Sequence, residues 1–174
     1  KGHLEPASPM APSVTLETIA EGSTEGVICT SACMGGLVAQ QMLEQGPRAG
    51  HDMLARLRGM FSPGSLYVEL QDHGLVEQPV LNRLLIEAAE ALELPLVATN
   101  DCHFLDKRNG EAQLYLQCIA TGRAFADAMQ THHQSYEMYL KSPEEMVQLF
   151  RHAPEAVRST LEIAERCQAL KLTL

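Results

Sequence analysis

Two extended runs with one amphipathic helical stretch between them constrain this chain more than any other feature. Leu66-Tyr67-Val68-Glu69-Leu70 alternates as a strand, while Val80, Leu81, Leu84, Leu85, Ala88, Ala89 and Leu92 fall at helical spacing. Leu96-Val97-Ala98-Thr99 is again apolar and strand-like. Strand, covering helix and strand close as a right-handed crossover, which makes the two strands parallel. Parallel α/β folds place their chemistry at the carboxyl ends of the strands. Here those ends are polar: Gln71-Asp72-His73-Gly74 after one strand and Asn100-Asp101-Cys102-His103 after the other. A shorter strand over 26–31 closes on Cys33 and the Gly35-Gly36 turn and supplies a third exit.

The rest of the chain reads as helices around this sheet. The pattern predicts a short helix over 15–20, one after Gly36 with Leu37, Met42 and Leu43 as a weak stripe, and a stop at Gly46-Pro47. Met53, Leu54, Leu57, Met60 and Phe61 make a clearer stripe before the Ser62-Pro63-Gly64 turn. Residues 106–121 read as helical with Ala112, Leu116, Ile119 and Ala120 buried, followed by a loop holding His132 and His133 and a short extended piece over 136–140. Ser142-Pro143-Glu144-Glu145 is a helix start: Ser142 caps, Pro143 fits the first turn and Glu145 completes a capping box. That helix carries Met146, Leu149 and Phe150, and Pro154 opens another with Val157, Thr160, Leu161 and Ala164 inward. These last two helices read as a small appendage. The fold class expected is α/β.

The three exits carry the chemistry. Thiolate, imidazole and carboxylate together suit a borderline metal such as zinc. If the strand continues through 103, Asp101 and His103 share a face and Cys102 points the other way. The spacing also permits a plainer reading, in which Asp101 caps the next helix and His103 is a loop residue. Cys33 alone is as compatible with a small buried hydrophobe as with a ligand, and His73 with a locally bonded loop residue. Cys29, Cys102, Cys118 and Cys167 are assigned to packing, and the His132-His133 pair to solvent. Five scattered cysteines without a C-x-x-C pair give no disulfide framework, so reduced thiols are expected. A formal charge of -9 argues against broad electrostatic grip on nucleic acid. No apolar run approaches the roughly 18 residues of a membrane span, and no signal-peptide pattern opens the chain.

The wording of the motifs adds to this. Thr30-Ser31-Ala32-Cys33-Met34-Gly35-Gly36, Tyr67 through Gly74 and Leu96 through His103 occur in that order, followed by Tyr139-Leu140-Lys141-Ser142-Pro143-Glu144-Glu145-Met146 and Leu161-Glu162-Ile163-Ala164-Glu165-Arg166-Cys167. Together, from about Pro12 to Cys167, they resemble the bacterial replicative DNA polymerase III alpha-subunit family and its amino-terminal polymerase and histidinol phosphatase (PHP) domain. The resemblance implies a distorted β/α barrel, seven-stranded when complete and partial here, with a small helical C-terminal appendage. It implies divalent metal ions at the strand exits, zinc or manganese, with Cys33, Asp101 and His103 at positions matching family ligands and His73 adjacent to the site. Magnesium would serve the polymerase of the parent protein, whose partners would be DNA and other replisome subunits in the cytoplasm, with no membrane. The family's His-x-His would precede Pro12 and is absent from this sequence.

The expected organisation is an irregular segment over 1–11, the later part of the PHP domain over 12–124, and a helical connection toward the polymerase body over 125–174. Lys1 in place of methionine, Pro6 and Pro9, and the strand-like Lys171-Leu172-Thr173-Leu174 give both ends a trimmed look. The leading reading is part of a DNA-directed DNA polymerase with a metal-dependent 3'-5' exonuclease-like domain; the alternative is a scaffold that stabilises the polymerase or docks a replisome partner. A free-standing phosphoesterase of the same superfamily fits less well, because of 142–146 and the 161–167 motif beyond it. No catalytic residue for nucleotide addition is assigned here. The chain by itself is therefore expected to show neither polymerase nor robust phosphoesterase activity. Nucleotide incorporation by the purified 174-residue chain would overturn that expectation.

Overall fold

The computed structural model describes residues 14–130, 136–168 and 170. In chain order the elements are α1 (Leu16–Glu21), β1 (Cys29–Thr30), α2 (Leu37–Gln45), α3 (Pro47–Arg58), β2 (Leu66–Gln71), α4 (Gln78–Ala91) and β3 (Leu96–Thr99). A 3-10 turn (Lys107–Asn109), α5 (Gly110–Thr121), α6 (Phe125–Gln130), α7 (Pro143–Leu149) and α8 (Pro154–Cys167) complete the order. The strands form one parallel sheet in the order β1-β2-β3, with Cys29 opposite Leu66 and Val68 opposite Leu96. The crossover logic therefore holds. The described residues form an open three-stranded sheet and not a closed barrel.

β2 is buried along its whole length, as a central parallel strand must be. Leu66, Val68 and Leu70 join Leu96 and Ala98 of β3, Val38 and Met42 of α2, Leu54 and Leu57 of α3, and Leu81 and Leu85 of α4 in one apolar cluster. By strand alternation Tyr67, Glu69 and Gln71 take the other face. β1 is shorter than the expected 26–31, for local reasons. Gly26 has φ 74 and belongs to a turn closed by Val27 N–H on the Thr24 carbonyl. At the far end Ser31 Oγ accepts the Glu69 N–H, so a side chain replaces the next rung of the ladder.

Three helices present faces other than those expected. In α2 the buried residues are Val38, Ala39 and Met42, and Leu37 and Leu43 are exposed. In α5 they are Gly110, Leu114 and Cys118, with Phe125 of α6 against them, whereas Ile119 is 78% exposed and Ala112, Leu116 and Ala120 also face solvent. In α8 Ala156 is buried and Val157 half-buried, while Thr160, Leu161 and Ala164 are exposed. Pro47 starts α3 at its first turn as well as ending the helix before it. The capping box of α7 is present as expected, with Ser142 Oγ accepting from Glu145 N–H and the Glu145 carboxylate accepting from Ser142 N–H. Cys118 is buried and Cys29 half-buried, but Cys102 and Cys167 are exposed, so packing does not account for them. All five cysteines are unpaired thiols.

α7 and α8 are not an appendage. Phe150, Ala153 and Ala156 lie inside the main apolar cluster, and α8 packs on β3. Arg166 of α8 donates to the Gly64 carbonyl, the Tyr67 hydroxyl and Ser65 Oγ, and Glu162 accepts from the Tyr67 hydroxyl. Phe150→Ala should accordingly cost about 3–5 kcal/mol of global stability. Leu161→Ala, at a side chain 68% exposed, should cost no more than about 0.5 kcal/mol. Urea denaturation of both variants checks the pair; equal small losses would return the helices to a peripheral role.

Candidate functional site

Parallel strands bring their three exits to one end of the sheet. At the β1 exit Ala32 has φ 66 and the chain folds back so tightly that a Cβ on Gly36 would lie 2.8 Å from Ala32 Cβ and 3.0 Å from two carbonyl oxygens. Only glycine fits there. Gly36 N–H closes the turn on the Cys33 carbonyl at 2.8 Å. Cys33 is half-buried and lines a small recess together with Glu69, Gln71 and Gln78.

At the β2 exit His73 is 1% exposed and both ring nitrogens are committed. Nε2 lies 2.9 Å from the Asn100 carbonyl, which can only accept, so Nε2 carries the proton. Nδ1 then accepts from Gln78 Nε2 at 3.0 Å. The amide orientation agrees, because Gln78 Oε1 accepts the main-chain N–H of His73 and of Leu75. His73 thus ties β2 to β3 and to α4 as a neutral imidazole. Its burial pushes its pKa below the ordinary value, and Lys141 adds to this, against the Asn100 hydrogen bond and the charges of Asp101 and Asp72. Beneath it Glu69 is buried, accepting from Gln71 Nε2 at 2.9 Å and from Thr99 Oγ1.

At the β3 exit the strand ends at Thr99, so Asp101 and His103 do not share a strand face as expected. Asp101 instead has φ 45, in the left-handed region that costs a non-glycine residue about 1–3 kcal/mol. Nor does Asp101 cap the next helix; Asp106 does, in a capping box with Asn109. The left-handed turn has a chemical result. His103 Nδ1 lies 2.7 Å from the Asp101 carbonyl, which can only accept, so Nδ1 carries a proton and the tautomer that leaves the lone pair on Nε2 is the one the bond selects for the neutral ring. His103 is exposed, and a ring held this way is ready to bind a cation through Nε2.

Residues 136–141 lie alongside. His103 N–H donates to the Met138 carbonyl, Leu140 N–H to the Phe104 carbonyl, and Phe104 and Tyr139 form an isolated parallel bridge. Lys141, with a side chain 5% exposed, reaches Asn100 Oδ1, the Glu137 carbonyl and carboxylate, and the face of Tyr139. Glu137, bonded by Lys107 and beside Lys141, is held below the usual carboxylate range. Tyr139, donating to Glu145, has its phenol pushed up to about 12.

The structure therefore sets the His103 ring on the main-chain carbonyl of Asp101 and places His73 on the carbonyl of the preceding residue, Asn100. Cys33 stands apart. β1 and β3 flank β2, so their exits are about two strand spacings, roughly 9–10 Å, apart. Ligands of one zinc ion lie about 2.0–2.3 Å from it. Among the described residues no three of His, Cys, Asp and Glu approach closely enough to hold one ion. Cys33, Asp101 and His103 do not close a single-ion site on their own. His132 and His133 lie outside the described residues. Glu69, Gln78, Asn100 and Lys141 escaped the sequence reading. Only Glu69 carried a signal, a carboxylate inside an otherwise buried strand that had to find partners.

No family model matches the chain. It is similar to DNA polymerase III subunit alpha of Treponema pallidum, at 39% identity over 156 residues, 90% of this chain and 13% of that protein. The same-named protein of Borreliella burgdorferi is 37% identical over 153 residues, 88% of this chain and 13% of the relative. An error-prone DNA polymerase of Symbiobacterium thermophilum is 35% identical over 169 residues, 96% of this chain and 15% of the relative. The chain thus spans about one seventh of the length of the curated relatives it matches.

The neutral state of His73 makes stability pH-dependent. Its folded pKa lies below the unfolded value of about 6.5. Above that value neither state binds a proton there; below it the unfolded chain protonates first, so stability falls as pH drops from about 6.5 toward the folded pKa. The slope from this one group is at most about 1.4 kcal/mol per pH unit. His73→Gln should flatten the loss of stability between about pH 7 and pH 5 in urea titrations, and an unchanged slope would remove His73 as its source.

Proposed function

The chain belongs to the DNA polymerase III alpha-subunit family over the segment it matches, and from that premise we propose that it is the later part of the PHP domain of a DNA-directed DNA polymerase. The observation that carries the reading is the β3 exit, where the His103 ring is fixed through Nδ1 on the Asp101 carbonyl, leaving Nε2 as the outward nitrogen, at the carboxyl end of a parallel sheet. On this reading Asp101, His103 and Cys33 donate to divalent cations, zinc or manganese, whose remaining ligands come from parts of the longer relatives that this chain does not span. Bound cations of this kind lower the pKa of a water and neutralise phosphate charge, the chemistry of metal-assisted phosphoester hydrolysis and of a 3'-5' exonuclease. The residues of this chain supply the setting. His73, Asn100 and Gln78 fix the backbone of the exits, and Cys33 faces the recess beside Glu69. Nucleotide addition, with magnesium, and contacts to DNA and other replisome subunits are assigned to the remainder of the longer protein, in keeping with the -9 charge of this segment.

A second reading has its own support. Because no three-donor group forms among the described residues, and no buried side-chain N or O there lacks a partner, the segment also suits a scaffold that stabilises the polymerase. Bound metal and manganese- or zinc-dependent release of nucleotides from a single-stranded primer, measured on the intact protein, separate the two. Asp101→Asn and His103→Ala should each weaken Mn2+ binding by at least about tenfold and remove metal-dependent release while leaving magnesium-dependent incorporation in place. Wild-type protein with no bound metal and no release would leave the scaffold reading standing.

A further inference from the structure

We propose that Asn100 is a positioning residue that couples Asp101 and His103 to residues 136–141, an inference that rests on reading those two side chains as cation donors. Asn100 is buried between two pieces of chain far apart in sequence. On the β2 side its carbonyl accepts from His73 Nε2 at 2.9 Å. On the other side its Nδ2 donates to the Glu137 carbonyl at 3.2 Å and the Tyr139 carbonyl at 2.5 Å, and its Oδ1 accepts from Lys141 Nζ at 3.2 Å. Donor and acceptor ends of one amide are thus both committed, and no other side chain of that shape supplies both.

The next residue is the strained one. Asp101 keeps φ 45 only while the surrounding structure holds it there. The hold comes from both sides of the turn: Asn100 before it and the His103 N–H on the Met138 carbonyl, at 2.8 Å, after it. Both clamps grip residues 136–141. The same turn aims the Asp101 carbonyl at His103 Nδ1 and so sets which imidazole nitrogen carries the proton. Release of 136–141 would let Asp101 relax to negative φ, turn its carbonyl away and free the ring. A segment more than thirty residues downstream thereby belongs to the site. Asn100→Asp keeps the shape but replaces the donor end with an oxygen facing two carbonyls.

Hydrogen exchange and Mn2+ titration on the intact protein test this. In the wild type the amides of His103 and Leu140, bonded across the two segments, should open together with equal protection. In Asn100→Asp both should lose at least about tenfold in protection and Mn2+ affinity should fall by at least about tenfold. Leu54→Ala, a core substitution remote from the turn, should lower the melting temperature without changing Mn2+ affinity. A folded Asn100→Asp protein with wild-type Mn2+ affinity and His103 protection overturns the proposal. If that variant does not fold, unequal protection of His103 and Leu140 in the wild type overturns it instead. Wild-type protein that shows paired opening but binds no Mn2+ upholds the coupling and overturns the donor reading beneath it.

Discussion

The burial of β2 is the constraint on which most of this structure depends. A central parallel strand needs cover on both faces, and β2 carries a tyrosine, a glutamate and a glutamine into that buried setting. Leu66, Val68 and Leu70 are met by the helices of the crossovers. The other face has polar atoms to satisfy, because an unpartnered hydroxyl or carboxylate inside the protein costs several kcal/mol. Tyr67 finds Glu162 and Arg166, which draws α8 back over the sheet. Glu69 finds Gln71 and Thr99, which locks β2 to β3 by side chains as well as by the ladder.

This explains what the sequence disclosed and what it withheld. β2, α4 and β3 were legible because each carries its period within a few residues. The α7 start was legible because a capping box is local chemistry. The length of β1 was not, since Ser31 ends it through a bond to Glu69, thirty-eight residues on. The buried faces of α5 and α8 were misread for a related reason: each has apolar residues on more than one side, and the choice among them is made by partners such as Phe125 and the polar clasp of Arg166, which leave no mark on the helix's own period.

At the candidate site the residue types were legible and their support was not. Cys33, Asp101 and His103 stood out as metal-capable groups at strand ends. Alternation implied that Asp101 and His103 converge by pleat. The contact that forms is instead between the His103 ring and the Asp101 main-chain carbonyl, through a left-handed turn beyond the strand, a conformation the aspartate does not choose by itself. What permits it is Asn100 and residues 136–141, joined by side-chain to main-chain hydrogen bonds that no spacing rule describes.

The geometry of the sheet also limits what these residues do together. In a flat run of three parallel strands the first and third exits stay two spacings apart, so Cys33 and the Asp101-His103 pair cannot enclose one ion. Curvature changes that relation: as a sheet closes toward a barrel, its strand ends turn inward around a common axis and donors from non-adjacent strands face one another. On the proposed reading, the separation seen here is what an arc of such a wall must show. The turn at Asp101 and the hydrogen bond that orients the His103 ring are set by groups the chain itself contains, whereas on that reading enclosure of an ion requires the wall to continue. On the same reading, orientation of the donors and completion of the site are separate properties, and only the first is built into these residues.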